Sequence, residues 1–200
     1  MRADRKGDKM DWVYDDGGRS KYFKAENVGD CVCRAIAIAT GKDYKEVYDD
    51  INRLARSERT GKRKRGKSSA RDGVYKDTSR KLLESYGWVW VPTMQVGQGC
   101  TTHLRQSELP SGRLVVKVSK HATAVIDGVL HDTYDCSRGG TRCVYGYFVE
   151  KLPNGEQNHT RNATRLREEV ENLVTELTEG RITPCEFGNL CEAAADRYNR

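Results

Sequence analysis

The pair Asp127-Gly128, set between two apolar segments, constrains the fold of this chain more than any other feature of its sequence. Residues 122–126 precede the pair and residues 129–132 follow it. Asp-Gly between strand-forming segments is typical of a tight β-hairpin, since both residues tolerate the backbone that such a turn requires. Three further segments have the composition of strands, at 88–91, 114–118 and 142–149. We therefore predict an antiparallel sheet in this part of the chain.

The segment before the sheet has the residue spacing of helices. From Cys31 onwards apolar residues recur at helical intervals, with Asp30 as a possible N-cap and Gly41 as a stop signal. Two more helices are predicted, one after Asp43 and one over residues 76–86. Helices in one half and strands in the other predict an α+β fold, with the N-terminal helices packed on the sheet.

The last part of the chain has the pattern of a separate helical hairpin. Residues 151–161 form a polar linker, and residues 162–200 contain two helical segments around Gly180. The first of these carries one apolar stripe, which must be buried against the main domain or against a protein partner. The predicted organisation is therefore an N-terminal arm at 1–26, an α+β domain at 27–150, the linker and the helical hairpin.

Positive charge is concentrated in one segment, although the chain as a whole carries a net charge of +6. Residues 56–71 contain eight Lys and Arg side chains and a single acid, Glu58, so the rest of the chain is close to neutral. The segment has no apolar periodicity and is predicted to be a loop. It contains no aromatic residue for base stacking, so the contact that it favours is a weak one with nucleic-acid phosphates.

Neither membrane insertion nor secretion is expected from the sequence. No apolar run approaches the roughly 20 residues that cross a bilayer, and the start of the chain lacks the apolar core of a secretory signal. We therefore expect a cytoplasmic protein without membrane contact, in a reducing environment. Its seven cysteines are an odd number, which favours free thiols over a disulfide framework.

Three of these cysteines, together with one histidine, could instead form a zinc site. Cys100 and His103 have a ligand-like spacing, and Cys136 and Cys143 could complete a tetrahedral site. The spacing of the second pair is unusual for a zinc knuckle. We therefore expect neither a metal nor another cofactor.

Cys31 is the strongest candidate for a nucleophile because it begins the first predicted helix. The unpaired backbone N–H groups and the dipole of a helix N-terminus favour the thiolate, and the same N–H groups can bind an oxyanion. A nucleophilic thiol also needs a base and a group that orients the base. His121, at the start of the hairpin, can supply the base. The structural alternative is a small buried cysteine that only packs.

Two carboxylates can orient His121, depending on the turn of the hairpin. With Asp127-Gly128 as a two-residue loop, Asp132 is the diagonal neighbour of His121 on the same face of the sheet. With a three-residue loop, Asp135 lies opposite His121 instead. The two-residue turn is the preferred prediction, and Asp135 is the alternative.

Together these motifs resemble a known group of enzymes. The sequence Asn-Val-Gly-Asp-Cys at 27–31 and the sequence His-Ala-Thr-Ala-Val-Ile-Asp-Gly at 121–128 are similar to those of compact papain-like cysteine peptidases of the C39-like branch. They are also similar to uncharacterised bacterial and bacteriophage proteins that share an Asp-Cys motif and a His-x-x-Ala-Val-x-x-Gly hairpin. The resemblance covers approximately residues 25–150.

The resemblance implies a fold, an activity and residue roles. The implied fold places a nucleophile at the start of a central helix packed on a curved antiparallel sheet. The implied activity is hydrolysis of an amide or related acyl bond through a thioester. Cys31 corresponds to the nucleophile and His121 to the general base, and Asp132 or Asp135 holds the orienting position. Such enzymes carry a Gln a few residues before the cysteine to polarise the oxyanion, and here the nearest side-chain amide is that of Asn27.

The sequence therefore predicts a cytoplasmic cysteine hydrolase, a peptidase or amidase that acts on a protein or peptide substrate through a Cys-His-Asp triad. If a bacteriophage encodes the chain, the compartment is the bacterial host cell. The alternative is a catalytically inactive papain-like module, for binding or as a virion-associated structural protein. Such a module would contact a protein partner through residues 162–200 or nucleic acid through residues 56–71.

Overall fold

The computed structural model of the protein describes residues 9–24, 28–60, 66–94, 97–151 and 169–198. These residues form an α+β fold around a mixed sheet of six strands. In chain order the strands are β1 (Asp11–Tyr14), β2 (Trp88–Pro92), β3 (Arg113–Val118), β4 (His121–Ile126), β5 (Val129–Asp132) and β6 (Val144–Glu150). The helices are α1 (Cys31–Thr40), α2 (Tyr44–Arg56), α3 (Lys76–Ser85), α4, of which residues 169–178 are described, and α5 (Pro184–Tyr198).

The strands lie in the order β1-β5-β4-β3-β6-β2 across the sheet. Most neighbouring pairs are antiparallel, as the sequence predicts, but β1 runs parallel to β5. The expectation of an antiparallel sheet is therefore wrong at this edge. The physical reason is that β1, from the predicted N-terminal arm, pairs with a strand that is distant in sequence, and so long a connection allows either direction.

The β4–β5 hairpin has the two-residue turn that the sequence favours. Ile126 pairs with Val129, so the loop consists of Asp127 and Gly128. Both turn residues have positive φ, 48° for Asp127 and 81° for Gly128, a conformation that Asp and Gly tolerate. This register puts the side chains of the first residue of β4 and the last residue of β5 on one face of the sheet.

Helix α1 is packed against the centre of the sheet. Residues 32–39 are all buried, and Gly41 ends the helix in the left-handed conformation, as predicted. The apolar side chains of α1 share a core with Val115 of β3 and with Ala122 and Ala124 of β4. Alternate residues of the strands point to the other face and form a second apolar cluster there. The start of α1 is thereby held close to the start of β4.

The expectation that the cysteines are free thiols is wrong for one pair. Cys100 and Cys143 are joined by a disulfide, with their Cα atoms 5.8 Å apart. A backbone bridge between His103 and Cys143 brings the two segments together, although the cysteines are 43 residues apart in sequence. Local sequence patterns do not show this pairing, because it depends on the approach of two distant segments.

Internal contacts divide the chain into two units, residues 1–151 and residues 152–200. The first unit contains the sheet and helices α1 to α3, and the second contains α4 and α5. Of the predicted linker at 151–161, all but Lys151 lies outside the described residues, as does the start of the predicted hairpin up to residue 168. Within the part of the chain that the structure describes, no helix is long and apolar enough to cross a membrane.

The basic segment 56–71 is described except for residues 61–65. Arg56 is the last residue of α2, and the chain beyond the gap folds back onto it. Lys67 donates a hydrogen bond from Nζ to the backbone oxygen of Arg56 at 3.0 Å. The backbone N–H and the hydroxyl of Ser68 both donate to the carboxylate of Glu58, two residues after the end of α2. These contacts hold both described ends of the segment near the end of α2.

Candidate active site

A cleft of about 1020 Å³ lies where α1 begins and where β3 and β4 meet. Cys31 and His121 both line this cleft. The thiol of Cys31 is half-buried, whereas Cys33, two residues further along the same helix, is fully buried. Of the two, therefore, Cys31 is the thiol that a substrate in the cleft can reach.

His121 begins β4 and Asp132 ends β5, and the hairpin register brings their side chains together. Nε2 of His121 lies 2.6 Å from Oδ2 of Asp132, a short hydrogen bond between ring and carboxylate. The backbone N–H of Thr133 donates to Oδ1 of Asp132 at 2.7 Å. Because Asp132 is only 3% exposed, its charge is stabilised by these protein groups and not by water.

The thiol of Cys31 interacts with the other side of this pair. The ring of His121 and the backbone N–H of Ala122 both lower the pKa of the thiol, so both lie within interaction range of the sulfur. Since Nε2 of the ring is bound to Asp132, Nδ1 is the nitrogen left to exchange a proton with a thiol. Cys31, His121 and Asp132 thus follow one another in the order that nucleophilic catalysis requires.

The surroundings of Cys31 favour its thiolate. Burial acts to raise the pKa of the thiol, but the hydrogen bond to His121 and the charge of that ring act against it. The N–H of Ala122 and the positive charge of Lys117 act in the same direction as His121, so the pKa of Cys31 falls below its ordinary value of 9.0. Cys33 shows the opposite behaviour, since burial raises its pKa to about 12.

His121 is held in its protonated form. Burial acts to lower the pKa of the ring, but the bond to Asp132, followed by those to Cys136 and Cys31, raises it to about 12. For Asp132, burial acts to raise the pKa of the carboxyl group, whereas the bond to His121 and the charge of that ring lower it below its ordinary value. At neutral pH the site therefore holds an imidazolium and a carboxylate, beside a thiol whose pKa is lowered by the same imidazolium.

A buried ion network connects Asp132 to the start of α1. Nη2 of Arg34 lies 3.6 Å from Oδ1 of Asp132, and Nη1 of the same side chain is hydrogen bonded to Asp30. Asp30 also binds Nε of Arg19 at 3.0 Å and accepts the hydroxyl of Tyr44 at 2.7 Å. Asp30 occupies the predicted N-cap position, but its side chain makes no capping hydrogen bond, because these partners use its oxygens instead.

Two further residues, Asp135 and Asn27, also belong to the predicted site. Asp135 accepts the backbone N–H of Ser137 at 2.8 Å and lies 3.8 Å from the amino group of Lys9, so the structure does not bring it to the ring of His121. The two-residue turn explains this placement, because only a longer loop would set Asp135 opposite His121. Asn27, the predicted oxyanion donor, lies outside the described residues.

The zinc alternative is not assembled in the described part of the chain. Cys100 and Cys143 are bonded to each other, and Nδ1 of His103 lies 3.1 Å from a glutamate oxygen. Cys136 lies elsewhere, beside His121. The predicted ligand set is therefore wrong, because two of its thiols form a disulfide and a third belongs to another region of the fold.

A different group of metal-type donors overlaps the triad. His121, Asp132 and Cys136 each offer a ligand atom, and these three atoms lie within 4.8 Å of one another, close enough to hold a metal ion. Two of the three are the predicted base and the predicted orienting carboxylate. A metal bound there would therefore compete with proton exchange between His121 and Cys31.

Arg34, Lys117 and Cys136 are site residues that the sequence reasoning missed. Arg34 has a detectable signal, since its i, i+4 spacing from Asp30 places both on one side of a helix. Lys117 has a weaker signal as a cation within the otherwise apolar core of β3. Cys136 has none, because it is a single cysteine in a loop and its position beside the ring depends on the tertiary fold.

No family model matches this chain, and no curated protein or solved structure matches it either. The function has therefore to be inferred from the fold and from the contacts of Cys31, His121 and Asp132.

Proposed function

We propose that the protein is a cysteine hydrolase with a papain-like core, acting as a peptidase or amidase. The observation that carries the proposal is the arrangement of Cys31, at the N-terminus of α1, in one cleft with His121, which is hydrogen bonded to Asp132 and lowers the pKa of the thiol. The order of the elements also supports it, since a nucleophile on an early central helix is followed by a base and an acid on a later hairpin. The cleft gives a substrate access to the thiol.

In the first stage of the proposed reaction the enzyme is acylated. The Cys31 thiolate attacks the carbonyl carbon of an amide, so that a C–S bond forms and the carbonyl electron pair moves to oxygen. Backbone N–H groups in the first turn of a helix have no partner within the helix, and those of α1 are available to this oxyanion. His121 then gives its proton to the leaving amine as the C–N bond breaks, which leaves a thioester on Cys31.

In the second stage water hydrolyses the thioester. His121, now neutral, takes a proton from water as the water oxygen attacks the thioester carbon. The C–S bond breaks, the acid product leaves, and Cys31 returns as a thiolate beside the imidazolium. Asp132 remains bound to Nε2 throughout, so it keeps the ring oriented and stabilises its positive charge.

Selective alkylation of Cys31 tests this proposal. At about pH 6.5 we expect iodoacetamide to modify Cys31 at least about tenfold faster than an ordinary thiol, which is almost wholly protonated there. Peptide mass spectrometry locates the label, and the buried Cys33 with its raised pKa is an internal reference. His121→Ala should lower the rate at Cys31 at least about tenfold, because it removes the cation that favours the thiolate.

The matched control is His131→Ala. His131 lies on the same hairpin, but alternation along β5 points it away from the triad, and its Nδ1 lies 3.2 Å from Asp15. This variant should keep the wild-type rate at Cys31. Slow and uniform labelling of the thiols, unaffected by His121→Ala, would contradict the proposal and favour a catalytically inactive binding module.

A further inference from the structure

Lys117 brings a positive charge into the cleft beside Cys31. It lies in β3, where its direct neighbours across the sheet are Ala122 of β4 and Gly146 of β6. Directly paired residues share a face of the sheet, so the methyl group of Ala122 flanks Lys117 on one side and Gly146, with the ring of Trp90 against it, on the other. Ala122 is also the residue whose backbone N–H lowers the pKa of Cys31. Lys117 therefore lies on the strand next to a group that acts on the thiol, and it lines the same cleft as Cys31.

The structure gives Lys117 no carboxylate partner among the described residues. The same is true of Lys120, which lies at the turn between β3 and β4 and also lines the cleft. Arg34, another cation of the lining, is already bound to buried carboxylates. Of the described acids, the cleft lining contains Asp72, which accepts the hydroxyl of Ser69 at 2.9 Å. Lys76, the third lysine of the lining, has its Nζ over the ring of Trp90, 5.9 Å from the ring centre. Lys117 and Lys120 are thus available for a negative charge that a ligand brings.

Aromatic side chains form the walls of the same cleft. The rings of Trp90 and Phe148 are 4.8 Å apart, and the ring of Tyr134 lies 5.2 Å from that of His121. A pocket with apolar walls and a few placed polar groups is typical of ligand and substrate sites, and the polar groups decide which ligand is selected. In this cleft the charged groups without a carboxylate partner among the described residues are cationic.

We propose that the cleft selects acyl substrates that carry a carboxylate close to the scissile bond, such as peptides with an acidic side chain there, and that Lys117 and Lys120 bind this carboxylate. The inference rests on the proposed function, because it names the substrate class of the same site. An acidic substrate supplies the carboxylate partner that the half-buried Lys117 lacks among the described residues. Partial burial also strengthens the attraction relative to a pair in open water. A neutral amide gains nothing from these lysines.

Two alkylating reagents of nearly equal size test the inference without knowledge of the natural substrate. Iodoacetate carries a carboxylate beside the reacting carbon, and iodoacetamide carries a neutral amide there. With both, the Cys31 sulfur attacks the CH2 carbon, a C–S bond forms, and iodide leaves with the electron pair of the C–I bond. The measured quantity is the ratio of the iodoacetate rate to the iodoacetamide rate at Cys31. We expect this ratio to exceed that of a small free thiol at least about tenfold and to fall as salt is added.

Variants of the two lysines separate their charge from their packing. Lys117→Met and Lys120→Met keep an unbranched side chain, and each should lower the ratio of the iodoacetate rate to the iodoacetamide rate at least about threefold. Any change in the thiolate itself affects both reagents and cancels in this ratio. Lys117→Arg keeps the charge and should keep the wild-type ratio. Lys45→Met is the matched control, because Lys45 lies on α2 and pairs with Asp49 outside the cleft. A thermal melt of each variant shows whether it is folded.

Three results would overturn the inference, each in a recognisable way. If wild-type Cys31 is alkylated selectively but with the ratio of a free thiol, the cysteine hydrolase stands and the acidic substrate class is wrong. If Lys117→Met slows both reagents equally, the lysine acts on the thiolate and not on the charge of the reagent. If neither reagent selects Cys31, the proposed function fails and the inference fails with it.

Discussion

Asp132 acts on His121 both by orienting the ring and by its charge. One oxygen holds Nε2 of the ring at 2.6 Å, while the other faces the Thr133 N–H and Nη2 of Arg34. Because the carboxylate is almost fully buried, water cannot stabilise the positive charge of the ring in its place if the carboxylate charge is removed. An amide of the same shape would keep the hydrogen-bonding position and lose the charge, so substitution separates the two effects.

Asp132→Asn should therefore shift the pH dependence of Cys31 alkylation. Without the carboxylate the pKa of His121 falls, the ring is neutral over more of the pH range, and the pKa of Cys31 rises towards its ordinary value of 9.0. We expect the rise in the iodoacetamide rate to move to higher pH, with a loss of at least about tenfold near pH 6.5. The control is Asp135→Asn, which removes a carboxylate that lies near Lys9 and should leave the profile unchanged. Equal profiles for wild type and Asp132→Asn would show that the charge has no catalytic role.

The pairing of His121 with Asp132 could be predicted from the sequence because it is local. A two-residue turn fixes every pairing of the short strands beside it, so alternation alone selects Asp132 over Asp135. The contact of Cys31 with His121 joins segments far apart in sequence, and only the combined motif indicated it. The ion pair between Arg34 and Asp132 depends on the packing of α1 on the sheet, which the sequence pattern does not specify.

A bulge in β6 shapes the cleft at the level of the strands. Lys117 pairs with Gly146, but the next residue of β3, Val118, pairs with Val144, so Tyr145 is the extra residue. Gly146 has a φ of 150°, and a Cβ atom there would lie 2.3 Å from Cζ2 of Trp90. Glycine at this position therefore allows the ring of Trp90 to lie against β6, on the strand next to Lys117.

Gly146→Ala should be strongly destabilising. The added methyl group would also lie 2.6 Å from the backbone oxygen of Val91, so rotation of Trp90 alone cannot relieve the clash. We expect a loss of about 3 kcal/mol or more in the free energy of unfolding, measured by urea denaturation. Gly139→Ala is the control, because Gly139 has a φ of 65° but nothing within 4 Å of an added Cβ, and backbone strain alone should cost about 1 kcal/mol. Similar losses in both variants would mean that the close approach of Trp90 is unimportant.

Elements that local sequence signals determine agree with the predictions, whereas elements that depend on pairing between distant segments differ from them. Helix α1 and the β4–β5 hairpin follow from helical spacing, a glycine stop and an Asp-Gly turn. The parallel pairing of β1 with β5 joins residues 118 positions apart, as Asp11 with Val129, and no local pattern encodes its direction. The strand predicted from residue 142 begins at Val144, because residues 138–141 form a turn and Cys143 pairs with His103 in an isolated bridge.

At the scale of the whole molecule, the candidate site belongs entirely to the first of the two units. The apolar clusters of the described residues draw only on positions between Met10 and Val149. The ion network that joins Asp30, Arg34 and Asp132 also lies within this unit, as does the cleft. The second unit contributes α4 and α5 but none of the described groups that contact Cys31 or His121.

A chain that ends at Lys151 should therefore fold and keep its reactive thiol. A unit with its own core and site does not need a following unit for stability, so we expect cooperative thermal unfolding and an iodoacetamide rate at Cys31 within about twofold of the full chain. The control is a chain that ends at Cys143, which lacks β6 and so removes the strand between β3 and β2. That chain should lose both cooperative unfolding and selective labelling, because the strands on either side of β6 lose their partner. If the chain ending at Lys151 behaves like this control, residues 152–200 complete the folded domain instead of following it.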